Sequence, residues 1–225
     1  MAFGSDMINF NVYDYAIGFD PLEYDGRYIQ YPLCYVSEET MKFVLEKHMR
    51  SAEDIMSRKK FCAMVVSSGA GYKKDRDTIF DELSKYIKVD SGGRYRNNLP
   101  DGKSVADKKA FLSDYRFSIA AENSLHDGYI TEKIMDAWAA GTIPIFYGSR
   151  YSTEMFNSKA FVLADIDNLD ATIEEVKHIN EDEDAYLKMQ REPVFVEGSK
   201  WDPTVKKAEL ENFLVSISSI IIFFI

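Results

Sequence analysis

The side chains of Asn123, Tyr129, Thr131, Glu132 and Lys133 stand within eleven residues of one another and could do chemistry together. Thr131 stands where a helix should begin, and the free N–H groups of that helix's first turn attract an anion. Lys133 brings a flexible positive charge to the same spot. Asn123 and Glu132 can bond the hydroxyls of a sugar or ribose, and Tyr129 offers a flat face and a phenolic O–H. The set suits an anionic nucleotide. It also suits an ordinary helix start with a solvated lysine, and residue chemistry alone leaves both readings open. Upstream, Arg76 opens the helix after an apolar strand. It could place a bidentate fork on a diphosphate, although residue chemistry by itself favours a surface arginine paired with Asp75 or Asp77. Arg94 and Arg96 are further cations, and Arg96 reads as a solvated loop residue.

The elements that must position these groups alternate in type. Phe117 to Ala121 is an apolar run of strand length. Polar residues break it at Glu122-Asn123-Ser124, and a helix opens over Tyr129 to Lys133 and runs to about Ala140. Gly141 ends that helix, and Thr142 to Tyr147 is the next strand. The polar turn therefore lies at the carboxyl end of a strand in a βαβ unit, where open parallel sheets bind ligands. Upstream, Tyr15 to Phe19 reads as a strand. Ser37 caps a long helix over Glu38–Ser57 with Met41, Val44, Leu45 and Met49 on one stripe. Phe61 to Ser67 is a strand without alternation, as in a sheet covered on both faces. A glycine- and lysine-bearing loop follows over 68–75, then a helix over Asp75–Tyr86 and a strand over Ile87–Asp90. Ser104-x-x-Asp107 reads as a capping box for a helix reaching Tyr115. Downstream come a short helix over Ser152–Phe156, a strand over Phe161–Leu163, and helices over Leu169–Ile179 and Asp182–Arg191. This order predicts an α/β fold with a doubly wound parallel sheet.

The segment Phe-x-x-Ala-x-Glu-Asn-Ser, then Tyr-Ile-Thr-Glu-Lys, then Ala-Gly-Thr-Ile-Pro-Ile-x-Tyr-Gly resembles the signature of the α-1,3/1,4-fucosyltransferases. Flanking stretches are similar too: Asp14 to Asp20 with Arg27-Tyr28, and Phe61 to Ser68 with Arg76 and Val89 to Arg94. The resemblance covers roughly residues 9–195. It implies the Rossmann-like C-terminal half of a GT-B glycosyltransferase, and an inverting transfer of fucose from GDP-fucose to a hydroxyl of an N-acetylglucosamine-containing, N-acetyllactosamine-like glycan. It implies a donor site of Arg76, Asn123, Tyr129, Thr131, Glu132 and Lys133, with Arg76 and Lys133 stabilising the leaving diphosphate and no metal or other cofactor required. It divides the chain into an acceptor-domain remnant and interdomain segment (1–57), a GDP-fucose-binding domain (58–200) and a tail (201–225). The family's catalytic base is a carboxylate of an acceptor domain, and only residues 1–13 precede the matched stretch. The base is therefore expected outside this chain; Glu23 and Asp25 are the nearest carboxylates. A GDP-sugar-binding module without transfer, donor hydrolysis, and another nucleotide-sugar enzyme of similar architecture are the competing readings.

Composition narrows the partners. The chain of 225 residues is 46% hydrophobic, enough for a sizeable core, and carries a net charge of −10. That balance argues against nucleic acid, which needs a dense basic surface. It also leaves attraction of an anionic donor to the few cations named above. Cys34 and Cys62 are too few for a disulfide scaffold, and Cys62 lies within an apolar strand, so a buried thiol is expected. His48, His126 and His178 lack ligand spacing; His126 reads as an exposed loop residue, with a substrate contact as the alternative. Met1 to Asn11 is not a signal peptide. Residues 213–225 are strongly apolar yet short of the roughly 20 needed to span a bilayer as a helix. The resemblance allows membrane association, in the Golgi of a eukaryote or on the cytoplasmic face in a bacterium.

Overall fold

The computed structural model describes residues 8–35, 37–69 and 73–222. A two-stranded parallel sheet comes first, β1 (Ala16–Gly18) beside β2 (Tyr28–Gln30). Three short helical pieces follow: α1 (Glu38–Leu45), a 3-10 turn (Lys47–Met49) and α2 (Ala52–Met56). The remainder alternates as β3 (Lys60–Met64), α3 (Lys73–Tyr86), β4 (Val89–Ser91), α4 (Lys108–Leu112), β5 (Tyr115–Ala121), α5 (Glu132–Ala140) and β6 (Ile143–Tyr147). It continues with α6 (Ser152–Met155), β7 (Val162–Leu163), α7 (Leu169–Glu181), α8 (Glu183–Arg191) and α9 (Pro203–Ile222).

Strands β4-β3-β5-β6-β7 form one sheet in that order, and every pair is parallel. The expected doubly wound sheet is therefore the one found. Alternate residues of the central strands feed two apolar layers. Phe117, Ile119, Ala121, Ile143, Ile145 and Tyr147 pack with Ile79 and Leu83 of α3 and Val176 of α7. Ala120 and Phe146 join Val44 of α1 and Ile134, Met135 and Trp138 of α5 on the other face. Trp138 is fully buried, and its indole N–H donates to the Ala160 carbonyl at 3.0 Å. Gly141 ends α5 in the left-handed region at φ 85°, as its position in the sequence predicted.

Several expectations are corrected. The long helix over 38–57 is broken after Leu45. Lys47 and Arg50 leave the helical path to bond carbonyls of α8 and α5, and Ser51 then caps a new helix. Met49, expected on the apolar stripe, is exposed. The strand over 61–67 ends at Met64, and the helix of 104–115 is only Lys108–Leu112. Its cap is Asp107, which accepts from the Ala110 N–H at 2.9 Å, and Tyr115 already belongs to β5. The apolar tail is helical as the end of α9, with residues 223–225 outside the described part. Among the described residues, no helix is long and apolar enough to cross a membrane. Both cysteines are free and buried, and burial pushes both thiols well above the ordinary range. Part of the 68–75 loop, residues 70–72, and most of the Met1–Asn11 stretch, residues 1–7, lie outside the described residues.

Candidate active site

In this sheet the strand order reverses between β3 and β5. The first crossover runs outward to β4, and the second returns past β3 to β5. The carboxyl ends of these two strands, with that of β6, therefore border the crevice in which open α/β sheets hold ligands. The loops from β3 to α3 and from β5 to α5, with the first turns of the helices they lead into, carry every donor-site residue that the sequence nominated.

Glu122 follows the last residue of β5. Its backbone N–H donates to the Tyr147 carbonyl at 2.7 Å, which extends the β5–β6 ladder and turns the side chain inward. The carboxylate is buried, 1% exposed, at the start of α5. It accepts from the Thr131 backbone N–H at 2.7 Å, from the Thr131 hydroxyl at 2.8–2.9 Å, and from the Lys133 ammonium at 2.8 Å. Lys133 also donates to the Thr131 hydroxyl at 2.8 Å. The expectation for Thr131 is corrected here. It occupies the N-cap position, but its hydroxyl makes no capping bond and is committed to Glu122 and Lys133. Lys133 is likewise held in an ion pair rather than loose. Glu132 and Asn123 are exposed at the mouth of the turn.

Arg76 lies on the first turns of α3, on the β3 side of the crevice. It is buried, 1% exposed, with its guanidinium carbon 5.0 Å from the centre of the Tyr95 ring. Its Nη2 donates to the Ser68 carbonyl at 3.3 Å, and its Nε has no hydrogen-bond partner among the described residues. A surface pairing with Asp75 or Asp77 is not what forms. Asp75 accepts from the Tyr147 hydroxyl at 2.5 Å, tying α3 to the end of β6, and Asp77 accepts from the Tyr95 hydroxyl at 2.6 Å. Arg94 is exposed. Arg96 is not a solvated loop residue: it pairs with Asp81 and lies over the Phe80 ring at 4.4 Å.

The segment after β1 closes over the turn that carries the signature. Phe19 meets the Tyr129 ring edge-on at 5.8 Å and the His126 ring at 6.2 Å. The buried carboxylate of Asp20 pairs with His126 Nε2, so His126 is not a plain loop histidine. Gly128 permits this approach. It has φ 80°, and a Cβ there would run into the Phe19 carbonyl. Tyr129 is nearly buried, and burial raises its hydroxyl pKa. Glu23 and Asp25 are exposed in the connection between β1 and β2. Along the same edge, at the ends of β6 and β7, a cavity of about 320 Å³ is lined by Asp127, Tyr147, Arg150 and Asp165 among others. Among the described residues, no group of three His, Cys, Asp or Glu side chains is arranged to hold a metal ion.

The family model described as glycosyltransferase family 10 (fucosyltransferase) C-term matches residues 55–192, more than half of the chain. This chain belongs to glycosyltransferase family 10. It is 34% identical over 210 residues to an α-(1,3)-fucosyltransferase of Helicobacter pylori, a match that covers 80% of this chain and 44% of that protein. It is 25% identical over 228 residues to a putative fucosyltransferase of Acanthamoeba polyphaga mimivirus, covering 96% of this chain and 36% of the relative. The chain thus spans less than half the length of these two relatives. A crystal structure of an α1,3-fucosyltransferase with GDP-fucose superposes with a TM-score of 0.78 at 28% identity, covering 95% of this chain and 72% of that one. The family 10 chain therefore has the Rossmann-like fold of a GT-B glycosyltransferase half.

Sequence reasoning treated Glu122 only as a break in an apolar run, and passed over Tyr95 and Tyr147. The signal for Glu122 was present. A carboxylate directly after a fully buried strand is a charge brought into the protein interior, and such a charge requires partners.

Proposed function

We propose that this family 10 chain binds GDP-fucose in the β3/β5 crevice and serves as the donor half of an inverting α-1,3-fucosyltransferase. The acceptor is a hydroxyl of an N-acetylglucosamine-containing glycan. The observation that carries this reading is the meeting of the signature residues at the sheet's switch point, in a chain similar to a fucosyltransferase crystallised with GDP-fucose. The acceptor hydroxyl gives its proton to a general base and its oxygen attacks the anomeric carbon of fucose while the bond to the GDP phosphate oxygen breaks. The diphosphate gains negative charge in the transition state, and cations already in place lower the barrier; losing one such contact typically costs about 3 kcal/mol, roughly a hundredfold in rate.

Lys133 and Arg76 fill that role. Arg76 lies over the Tyr95 ring, and among the described residues its hydrogen bonding is weak, one 3.3 Å bond with Nε unpartnered, so the diphosphate can replace the Ser68 carbonyl at small cost. The N–H groups of α5 add their dipole. Asn123 and Glu132, exposed at the mouth, bond ribose or fucose hydroxyls, and Tyr129 lines the wall. Thr131 contributes by holding Lys133. The residues proposed here require no metal.

A second acceptor class has specific support: the human relative named GDP-fucose protein O-fucosyltransferase 3 is 31% identical over 140 residues. With that acceptor, a protein hydroxyl would attack the same donor. The longer match is to the Helicobacter pylori α-(1,3)-fucosyltransferase, and a (1,3) linkage names a sugar hydroxyl as acceptor, which favours the glycan.

Calorimetric titration of the full chain with GDP-fucose, GDP and UDP tests the donor reading. The two guanine ligands should bind and UDP should not. Lys133→Ala and Arg76→Ala should each weaken GDP binding by about 10- to 100-fold, the usual worth of a charge-assisted bond. If both variants bind GDP like the parent, the phosphate site is wrongly assigned.

A further inference from the structure

Lys133 has three N–H donors, and two are already used inside the protein, on Glu122 Oε2 and Thr131 Oγ1, each at 2.8 Å. The Thr131 hydroxyl accepts from Lys133 and gives its own proton to Glu122. Glu122 Oε1 accepts the Thr131 backbone N–H at 2.7 Å. Each atom of this small network has a partner, and the pair is nearly dry, with side-chain exposures of 20% for Lys133 and 0% for Glu122. A free lysine has four rotatable bonds and must lose their freedom when it grips a ligand. Here that freedom is lost before any ligand arrives.

We infer that Glu122 is a positioning residue for the transfer: with the Thr131 hydroxyl as a brace, its buried carboxylate holds the Lys133 ammonium fixed, with its third N–H left for the donor's diphosphate. This rests on the donor reading proposed above. Two opposing effects follow from the carboxylate. As a bare negative charge close to the phosphate site it would repel the donor. As an anchor it pre-orders the cation that attracts the donor. Pairing with Lys133 at 2.8 Å and burial against the helix start cancel much of the repulsion, whereas the ordering acts in full. Anchoring therefore wins. In Glu122→Gln the amide N–H₂ would face either the Thr131 backbone N–H or the Lys133 ammonium, so one side of the network opposes donor to donor and the hold on Lys133 is weakened.

The test is a double-mutant cycle read by calorimetric titration of the full chain with GDP. Glu122→Gln in the parent background should weaken GDP binding roughly tenfold, the scale of re-ordering one long side chain. In a Lys133→Met background the same substitution should change GDP binding less than about twofold, since the group it acts through is gone. Thr131→Val, which keeps both charges and the backbone N–H bond, should repeat this pattern in milder form, and it decides alone if Glu122→Gln does not fold. A purely structural role for Glu122 predicts the same loss in both backgrounds, and that result overturns the inference. Unchanged or tighter binding by Glu122→Gln in the parent background overturns it too. If the parent chain binds neither GDP nor GDP-fucose, the donor reading fails first and this one falls with it. If the parent binds and the cycle shows no coupling, only this inference fails.

Discussion

Lys47 carries an amine deep in the protein, and titration can expose it. It lies in the 3-10 turn after α1, 1% exposed, and its Nζ donates to the carbonyls of Gln190 at 2.8 Å and Met189 at 3.3 Å, in the last turn of α8. Burial is the main cause that lowers its pKa from 10.5 to about 7; the nearby Arg50 lowers it further, and Glu192 opposes. The unfolded chain keeps this proton up to the ordinary lysine value, and the folded chain gives it up near neutrality. Between those two points the unfolded state binds more protons, so folding stability rises with pH across the window and is lost as pH falls toward 7. Each pH unit inside the window is worth up to about 1.4 kcal/mol. Lys47→Met keeps the length of the side chain and removes the titration, while leaving two carbonyls without their donor. Urea unfolding, followed by fluorescence of the buried Trp138 and Trp201, reports both chains. Relative to Lys47→Met, the parent should gain about 3 kcal/mol between about pH 6.5 and about pH 9.5. Other groups titrate alike in both chains and cancel in the difference. Parallel stability curves would mean that the two carbonyl bonds hold the proton on Lys47 against burial, and would refute the reasoning.

Two further substitutions probe the framework of the site. Gly128→Ala forces a side chain into the left-handed region and against the Phe19 carbonyl. The strain alone is about 1–2 kcal/mol, so Tm should fall by about 4 °C, with weaker GDP binding as Phe19 leaves Tyr129. A variant with unchanged Tm and affinity would show that this close approach is dispensable. Trp138→Ala empties a fully buried site between α5 and the rings of Phe156 and Phe161 and orphans the Ala160 carbonyl. It should cost about 3–5 kcal/mol in urea unfolding, and a loss below about 1 kcal/mol would contradict the tight packing of that layer.

Much of the fold was legible because its signals are local. The apolar runs at 61–67, 117–121 and 142–147 read as strands and fall on β3, β5 and β6 with shifted ends, and Gly141 marks a helix end because a residue at ease with positive φ continues the chain there. Composition and alternation of types were enough for a parallel doubly wound sheet. The placing of the nominated residues at one sheet edge followed as well, because the carboxyl ends of parallel strands share a side.

Local patterning alone therefore established the alternation of strand and helix from β3 to α8 and the edge where chemistry would gather. What each polar group touches there was settled by packing in three dimensions. The pairing of Asp20 with His126 joins positions 106 residues apart, and the bond from Lys47 to Gln190 joins positions 143 apart. No periodicity encodes such pairs. The same long-range bonds break the helix expected over 38–57, because satisfying the terminal carbonyls of α5 and α8 outweighs continuing one more turn. Arg76 is buried, not paired on the surface, because Tyr147 and Tyr95, from distant strands and loops, take the carboxylates beside it. Glu122 changes from a strand terminator into the anchor of Lys133 for a similar reason: β6 extends the ladder past Ala121 and directs a charge inward, where the start of α5 supplies its partners.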